Sequence, residues 1–265
     1  MFGMLSAVVL AVAMSGCVNK AATGATDAEE LRVDSISMEQ DGQAVNVSFD
    51  IDYPVAGNAL LVDSLRSYIA FWIDGDMSLL SDGNALLKKV FQHKCTELES
   101  EREEFMASLE VTDYLPYEYS CQVKLQGETD TYVTYSHSVY EFEGGAHGIS
   151  YGTNTTFCKS DGRHMGWNML KNTDSPAFHE LIVKGLLDYF DVEDEAGLNE
   201  VLLLLDGVRS LPLPASAPWL TEKGMVFCYQ QYEIAPYAYG MPSFVLGYEQ
   251  LLPFLSDEAK VLLKL

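Results

Sequence analysis

The chain has 265 residues, 39 of them acidic and 16 basic, for a formal net charge of −23 at pH 7. That balance excludes phosphate-backbone binding, where Lys and Arg must displace condensed counterions, so no nucleic acid partner is expected; an acidic protein instead attracts cationic proteins or peptides at rates that fall with salt. With 48% hydrophobic residues the chain is apolar and long enough for one large core or two ordinary ones, which excludes general disorder.

The chain opens on an almost uniformly apolar run, Met4 to Met14, followed by Ser15-Gly16-Cys17. The run is well short of the roughly 20 residues a membrane-spanning helix requires and reads as the core of a signal peptide. A peptidase acting on lipidated chains needs a small residue before the cut, here Gly16, and a thiol to carry the diacylglycerol, here Cys17. We therefore expect a lipoprotein signal peptide over residues 1–16, lipidation of Cys17, and a small, polar, aperiodic tether over residues 17–30. The two or three acyl chains of a mature lipoprotein hold it stably, where one alone binds with a constant of only about 10⁴ M⁻¹. The expected location is the cell envelope, anchored to a bacterial membrane and facing the periplasm or the exterior. An n-region without Lys or Arg and Met14 three residues before the cut depart from the usual pattern, and a simple secretory signal with Cys17 incidental is the alternative.

Beyond the tether, Val45, Val47, Phe49, Ile51 and Tyr53 alternate with polar residues, the period-two pattern of a half-buried strand. Leu31 to Met38 is its expected partner across the turn Asp41-Gly42. Asn58 precedes a helical stripe of Leu61, Leu65, Tyr68 and Trp72, and Asp82-Gly83-Asn84 introduces a longer helix whose stripe runs from Leu86 to Leu109. Two strands follow, Tyr119 to Leu125 and Tyr132 to Phe142, separated by the turn-rich residues 127–130. After Gly144-Gly145-Ala146-His147-Gly148 comes a strand pair, Tyr151 to Lys159 and Arg163 to Leu170, around Ser160-Asp161-Gly162. Helices over Ala177 to Phe190 and Leu198 to Leu205, a Pro-rich connector, a strand over Met225 to Glu233, a short helix from Tyr248 and an amphipathic tail complete the chain. The expected fold class is α+β, as two small packed α+β subdomains, residues 31–128 and 129–265, with antiparallel sheets and helices on one face.

Four cysteines remain once Cys17 is assigned to lipid: Cys95, Cys121, Cys158 and Cys228. An even number in an exported chain permits disulfides. Cys95 shares a helical stripe with Phe91 and Leu98, and Cys121 shares strand parity with Val123, so both point to a core. A Cys95–Cys121 bridge with Cys158–Cys228 left over fits that pattern, and so do buried free thiols. No spacing of Cys and His suggests zinc, and no cofactor is expected.

Three stretches, taken in order, resemble the C-terminal domain of the RsiV-like family of bacterial envelope proteins: Phe142-Glu143-Gly144-Gly145-Ala146-His147-Gly148, the strand ending in Lys159-Ser160-Asp161-Gly162-Arg163, and Gly224 to Phe227 running into Tyr232-Glu233-Ile234-Ala235-Pro236-Tyr237-Ala238-Tyr239-Gly240. The resemblance covers about residues 130 to 255, and the preceding half is similar to the small domain that accompanies it. It implies lysozyme-sensing anti-sigma factors, or multi-domain peptidoglycan deacetylases with a separate catalytic domain. The sequence shows no sigma-binding segment, transmembrane helix or added deacetylase domain, so the expectation carried over is the extracytoplasmic binding part alone.

From the residues themselves, Gly144 and Gly145 permit close backbone approach and place His147 on a tight turn, where a ligand would reach exposed amides or where the turn is simply structural. Tyr237 and Tyr239 follow a proline that ends strand pairing and would present flat amphipathic rings to a partner, or close a core. Catalysis has weak support: no GxSxG or HExxH occurs, Glu141 and Glu143 share strand parity as many half-wet pairs do, and His137 lies within an alternating strand as a structural histidine would. The expectation is a non-enzymatic lipoprotein acting as a binding module for lysozyme or another cationic muramidase. The alternatives are a peptidoglycan or glycan binder using Tyr237 and Tyr239, and an enzyme acting on cell-wall material through Glu143 and His147.

Overall fold

The computed structural model describes residues 30–109 and 116–265. The expected signal peptide and the lipidation site Cys17 lie outside the described residues. Among these residues, no helix is long and apolar enough to cross a membrane.

The chain begins with β1 (Arg32–Asp41) and β2 (Val45–Ala56), an antiparallel pair in which Ile36 faces Ile51 and Met38 faces Phe49. The alternation read from the sequence holds from Val45 to Tyr53 of β2: Val45, Val47, Phe49, Ile51 and Tyr53 are all buried, and the intervening residues are not. Helix α1 (Ala59–Trp72) starts where Asn58 Oδ1 accepts from the backbone N–H groups of Leu60 (2.9 Å) and Leu61 (3.3 Å). Asp82 plays the same part for α2 (Gly83–Leu109), accepting from Ala85 N at 3.0 Å. Leu86, Leu87, Val90, Phe91, Cys95 and Leu98 are buried along α2, as their spacing of three and four requires.

Next come β3 (Tyr117–Glu128), β4 (Tyr132–Phe142), β5 (Ile149–Cys158) and the two-residue β6 (His164–Met165). Strands β1 to β6 form one sheet in sequence order. One pairing departs from the antiparallel expectation: β2 and β3 run parallel, with Val45 opposite Tyr117 and Phe49 opposite Cys121. The reason is the connection, since α1 and α2 carry the chain back to the starting end of β2, as a parallel crossover requires.

The remaining elements are α3 (Pro176–Phe190), α4 (Glu195–Val201), β7 (Trp219–Thr221), β8 (Gly224–Cys228), β9 (Ser243–Leu246), α5 (Tyr248–Leu251) and α6 (Asp257–Leu263). Strands β7, β8 and β9 make a second, antiparallel sheet. The strand expected over Met225 to Glu233 stops at Cys228, and the chain turns over residues 231–233, where Tyr232 takes φ 64°, a left-handed conformation that no strand accommodates.

By contact density the chain separates into two units. One comprises the described residues up to 124 with 137–150 and 160–162; the other comprises 125–136, 151–159 and 163–265. The core of the first is the inner face of β1 to β3 under Leu61, Leu65, Ile69, Leu87, Phe91 and Leu98. In the second, Phe178 of α3 packs against Phe227 of β8 (ring centroids 6.0 Å apart) and Phe254 (5.2 Å), while Phe227 stacks on Phe244 of β9 (5.7 Å). A buried polar junction ties the same unit together. Leu220 N donates to Thr156 Oγ1 (2.9 Å), and Thr134 Oγ1 donates to Leu220 O (3.1 Å), so two threonine hydroxyls satisfy the outer backbone groups of β7.

Candidate functional site

The glycine-rich turn belongs to the first unit and joins the end of β4 to the start of β5. Gly144 (φ 91°) and Gly145 (φ 93°) occupy conformations that side chains disfavour, which reverses the chain. Gly148 serves differently: a Cβ there would lie 2.6 Å from the Tyr140 ring, so the ring rests directly on the Gly148 backbone. His147 is exposed, with Nδ1 2.8 Å from the Gly148 carbonyl oxygen, a contact that its Nδ1–H tautomer makes as donor.

Around this turn the sequence pattern brings carboxylates together. Partial desolvation raises the Glu143 carboxyl above its ordinary range, and the charge of the neighbouring Glu141 carboxyl raises it further. Across from them on α2, Glu101 is also raised, first by burial and then by the charges of Glu143 and Glu97. Lys94 is the counterweight: it pairs with Glu97 and lies 4.9 Å from the centre of the Tyr119 ring. His137, on the same face of β4, is buried and stacks on Trp72 with centroids 4.2 Å apart and planes at 20°. Burial brings its imidazole down to about 4, so it is neutral at pH 7.

Tyr237 and Tyr239 lie in the second unit, on a short 3₁₀ turn, Tyr237–Tyr239, that follows Pro236. The structure gathers more aromatic surface here than the sequence indicated. Tyr239 is 41% exposed, its ring meets Phe190 edge-on at 5.2 Å, and its carbonyl accepts from the Tyr189 hydroxyl at 2.6 Å. Tyr232, 49% exposed and left-handed, leans on Tyr237 at 5.9 Å. The loop is pinned beneath them by Glu233, whose carboxylate accepts from Ala215 N and Gln230 N, each at 2.7 Å. Tyr189, Phe190 and Tyr232 were missed because the first two end an amphipathic helix and the third sat in an expected strand. The available signal was the density of tyrosine on both segments.

Cys95, Cys121 and Cys228 are buried, unbridged thiols, so neither the Cys95–Cys121 nor the Cys158–Cys228 bridge is formed. Burial pushes Cys95 up to about 11, Cys121 up to about 12 and Cys228 up to about 11, so all three are protonated and act as small apolar side chains. Cys158 is buried as well. Among the described residues, no group of three or more His, Cys, Asp or Glu side chains is arranged to hold a metal ion.

The sequence matches two family models. Residues 40–150 match the family described as deacetylase PdaC, and residues 216–249 match a family described as protein of unknown function (DUF3298). The glycine-rich turn falls in the first match and the Tyr232–Tyr239 segment in the second. No curated protein matches the chain. Among solved structures, a DUF3298-family protein of Bacteroides fragilis is similar in fold, with TM-score 0.74 and 21% identity over 89% of this chain and 98% of its own. A DUF3298-family protein of Pseudomonas aeruginosa superposes with TM-score 0.57 and 17% identity over 88% of this chain and 97% of its own. With a PdaC segment leading into a DUF3298 segment, on a fold solved for that family, the chain belongs to the DUF3298/PdaC-like, or RsiV-like, domain family.

Proposed function

We propose that the chain is a lipid-anchored binding module of a bacterial cell envelope that holds a cationic muramidase of the lysozyme kind and makes or breaks no bond in it. The observation that carries this reading is the aromatic face of the second unit. Tyr189, Tyr232 and Tyr239 stand 36%, 49% and 41% exposed beside Phe190 and Tyr237. Tyrosines and phenylalanines in such number are typical of recognition surfaces, where rigid amphipathic rings give contact area at low entropic cost. The left-handed backbone of Tyr232 costs about 1 kcal/mol or more. The formal charge of −23 selects for a cationic partner.

Pull-down of a c-type lysozyme by the chain, at low and high salt, tests the reading. Binding at low salt that weakens on changing Tyr237 and Tyr239 to Ala supports it, and no binding at low salt removes this partner. The same exposed rings also suit stacking on sugars, so retention on insoluble sacculi that is lost in the double tyrosine variant would favour a glycan ligand. Release of fragments or acetate from sacculi, abolished by His147→Ala, would replace both readings with an enzyme. Mass spectrometry of the native amino terminus decides the anchor at Cys17.

A further inference from the structure

The tyrosines of the second unit stand on a loop whose backbone is held by two polar side chains. The amide of Gln230 bonds Gly152 of β5 as a neighbouring strand would: Gly152 N donates to Gln230 Oε1 at 3.1 Å, and Gln230 Nε2 donates to Gly152 O at 2.7 Å. The same Nε2 donates to Ser216 Oγ at 3.1 Å, so the oxygen and both N–H groups of that amide are engaged. Glu233 closes the turn that follows. Its N–H donates to Gln230 O at 3.1 Å, while its carboxylate accepts from Gln230 N and Ala215 N, each at 2.7 Å. Tyr232 is the third residue of this turn, at φ 64°, a position that turns ordinarily give to Gly or Asn. Its ring is 49% exposed and leans on Tyr237. All of these partners belong to the second unit.

We propose that Gln230 and Glu233 are the positioning residues of the aromatic face: they hold the 230–233 turn in the conformation that presents the Tyr232 ring, so that a partner meets a surface already formed. The proposal rests on the binding reading above and adds which residues prepare that surface. Two observations carry it. A left-handed tyrosine persists only where its surroundings over-determine the backbone, and here the bonds to Gly152, Ala215 and Ser216 do so. Those bonds reach groups 78, 18 and 14 residues away, so the turn is held by the tertiary structure and not by its own sequence. A loop ordered before binding loses less conformational entropy when it binds, which raises affinity without adding a contact.

The test uses the full chain, a c-type lysozyme at low salt as probe, and amide hydrogen exchange with and without it. Gln230→Met and Glu233→Leu keep every ring and remove the bonds, Glu233→Gln keeps one acceptor oxygen, and Glu103→Gln, exposed in the first unit, controls for the loss of one charge. Gln230→Met should speed exchange at the Gly152 amide about tenfold or more, and Glu233→Leu should do so at the Ala215 and Gln230 amides. Both should bind lysozyme about tenfold more weakly, with Glu233→Gln between them and the wild type and Glu103→Gln near the wild type. Bound lysozyme should restore slow exchange in the variants and change little in the wild type. Tyr232→Asn, which tolerates the left-handed backbone, should keep the thermal midpoint within about 2 °C and weaken lysozyme binding about tenfold. Slow exchange that persists in Gln230→Met and Glu233→Leu overturns the proposal, because other groups then hold the turn. A lowered midpoint with unchanged affinity in Tyr232→Asn overturns it as well, because the ring then serves the fold. Lysozyme that binds the wild type and every variant alike overturns the proposal and leaves the muramidase reading standing. Lysozyme that ignores the wild type while exchange follows the expected pattern removes that reading and leaves the positioning roles in place.

Discussion

Replacing His137 by Phe should remove an acid sensitivity built into the first unit. The imidazole is 2% exposed, stacked on Trp72 at 4.2 Å, and held by burial at about 4 against an ordinary value of 6.5. Above pH 6.5 both folded and unfolded chains carry it neutral, so it contributes no pH dependence. As pH falls below 6.5 the unfolded chain takes up the proton and the folded chain does not, so stability is lost progressively until the folded group itself titrates near pH 4. A shift of that size corresponds to about 3 kcal/mol over the window. Phe preserves the ring stack without the titration. Urea unfolding followed by tryptophan fluorescence, run from pH 7.5 to 4 on both proteins, isolates the effect, because the carboxylates contribute equally to each and cancel in the difference. The variant should gain on the wild type by up to about 3 kcal/mol toward pH 4. A difference that stays flat across the window would refute the assignment of a buried, neutral His137.

Gly148→Ala places a methyl 2.6 Å from the Tyr140 ring and should cost about 1–3 kcal/mol in thermal unfolding, much of it recovered in the double variant with Tyr140→Ala; additive losses would show that the two do not touch. Thr156→Val leaves the buried Leu220 N–H without its acceptor and should destabilise by about 1–3 kcal/mol in the same assay, whereas an unchanged midpoint would mean another group satisfies that amide. Cys95, Cys121 and Cys228 should resist a thiol reagent at pH 8 in the native chain and react on denaturation; rapid native labelling of any of them would contradict their burial.

Much of the first unit was legible because its signals are local. The alternation from Val45 to Tyr53, Asn58 ahead of α1, and the three-and-four spacing from Leu86 to Leu98 each report which side of one element meets a core. The turn at Gly144-Gly145 was legible for the same reason, since positive φ is a property of single residues. Less could be read of the candidate sites. Strands β7 and β9 have three and four residues, too few to show a period, and their place follows from pairing with β8. Tyr189, Phe190, Tyr232, Tyr237 and Tyr239 form one surface only because α3 ends beside the 232–239 loop.

What the sequence determined by itself was therefore the α+β class, the order of the longer elements and their inward faces, because side-chain direction along a helix or strand repeats within a few residues. Tertiary structure alone decided the parallel pairing of β2 with β3, the threonine junction at Leu220, the unbridged cysteines, and the meeting of Tyr140 with Gly148. Each of these depends on contacts between residues far apart in the chain, and their energies appear only once distant segments pack.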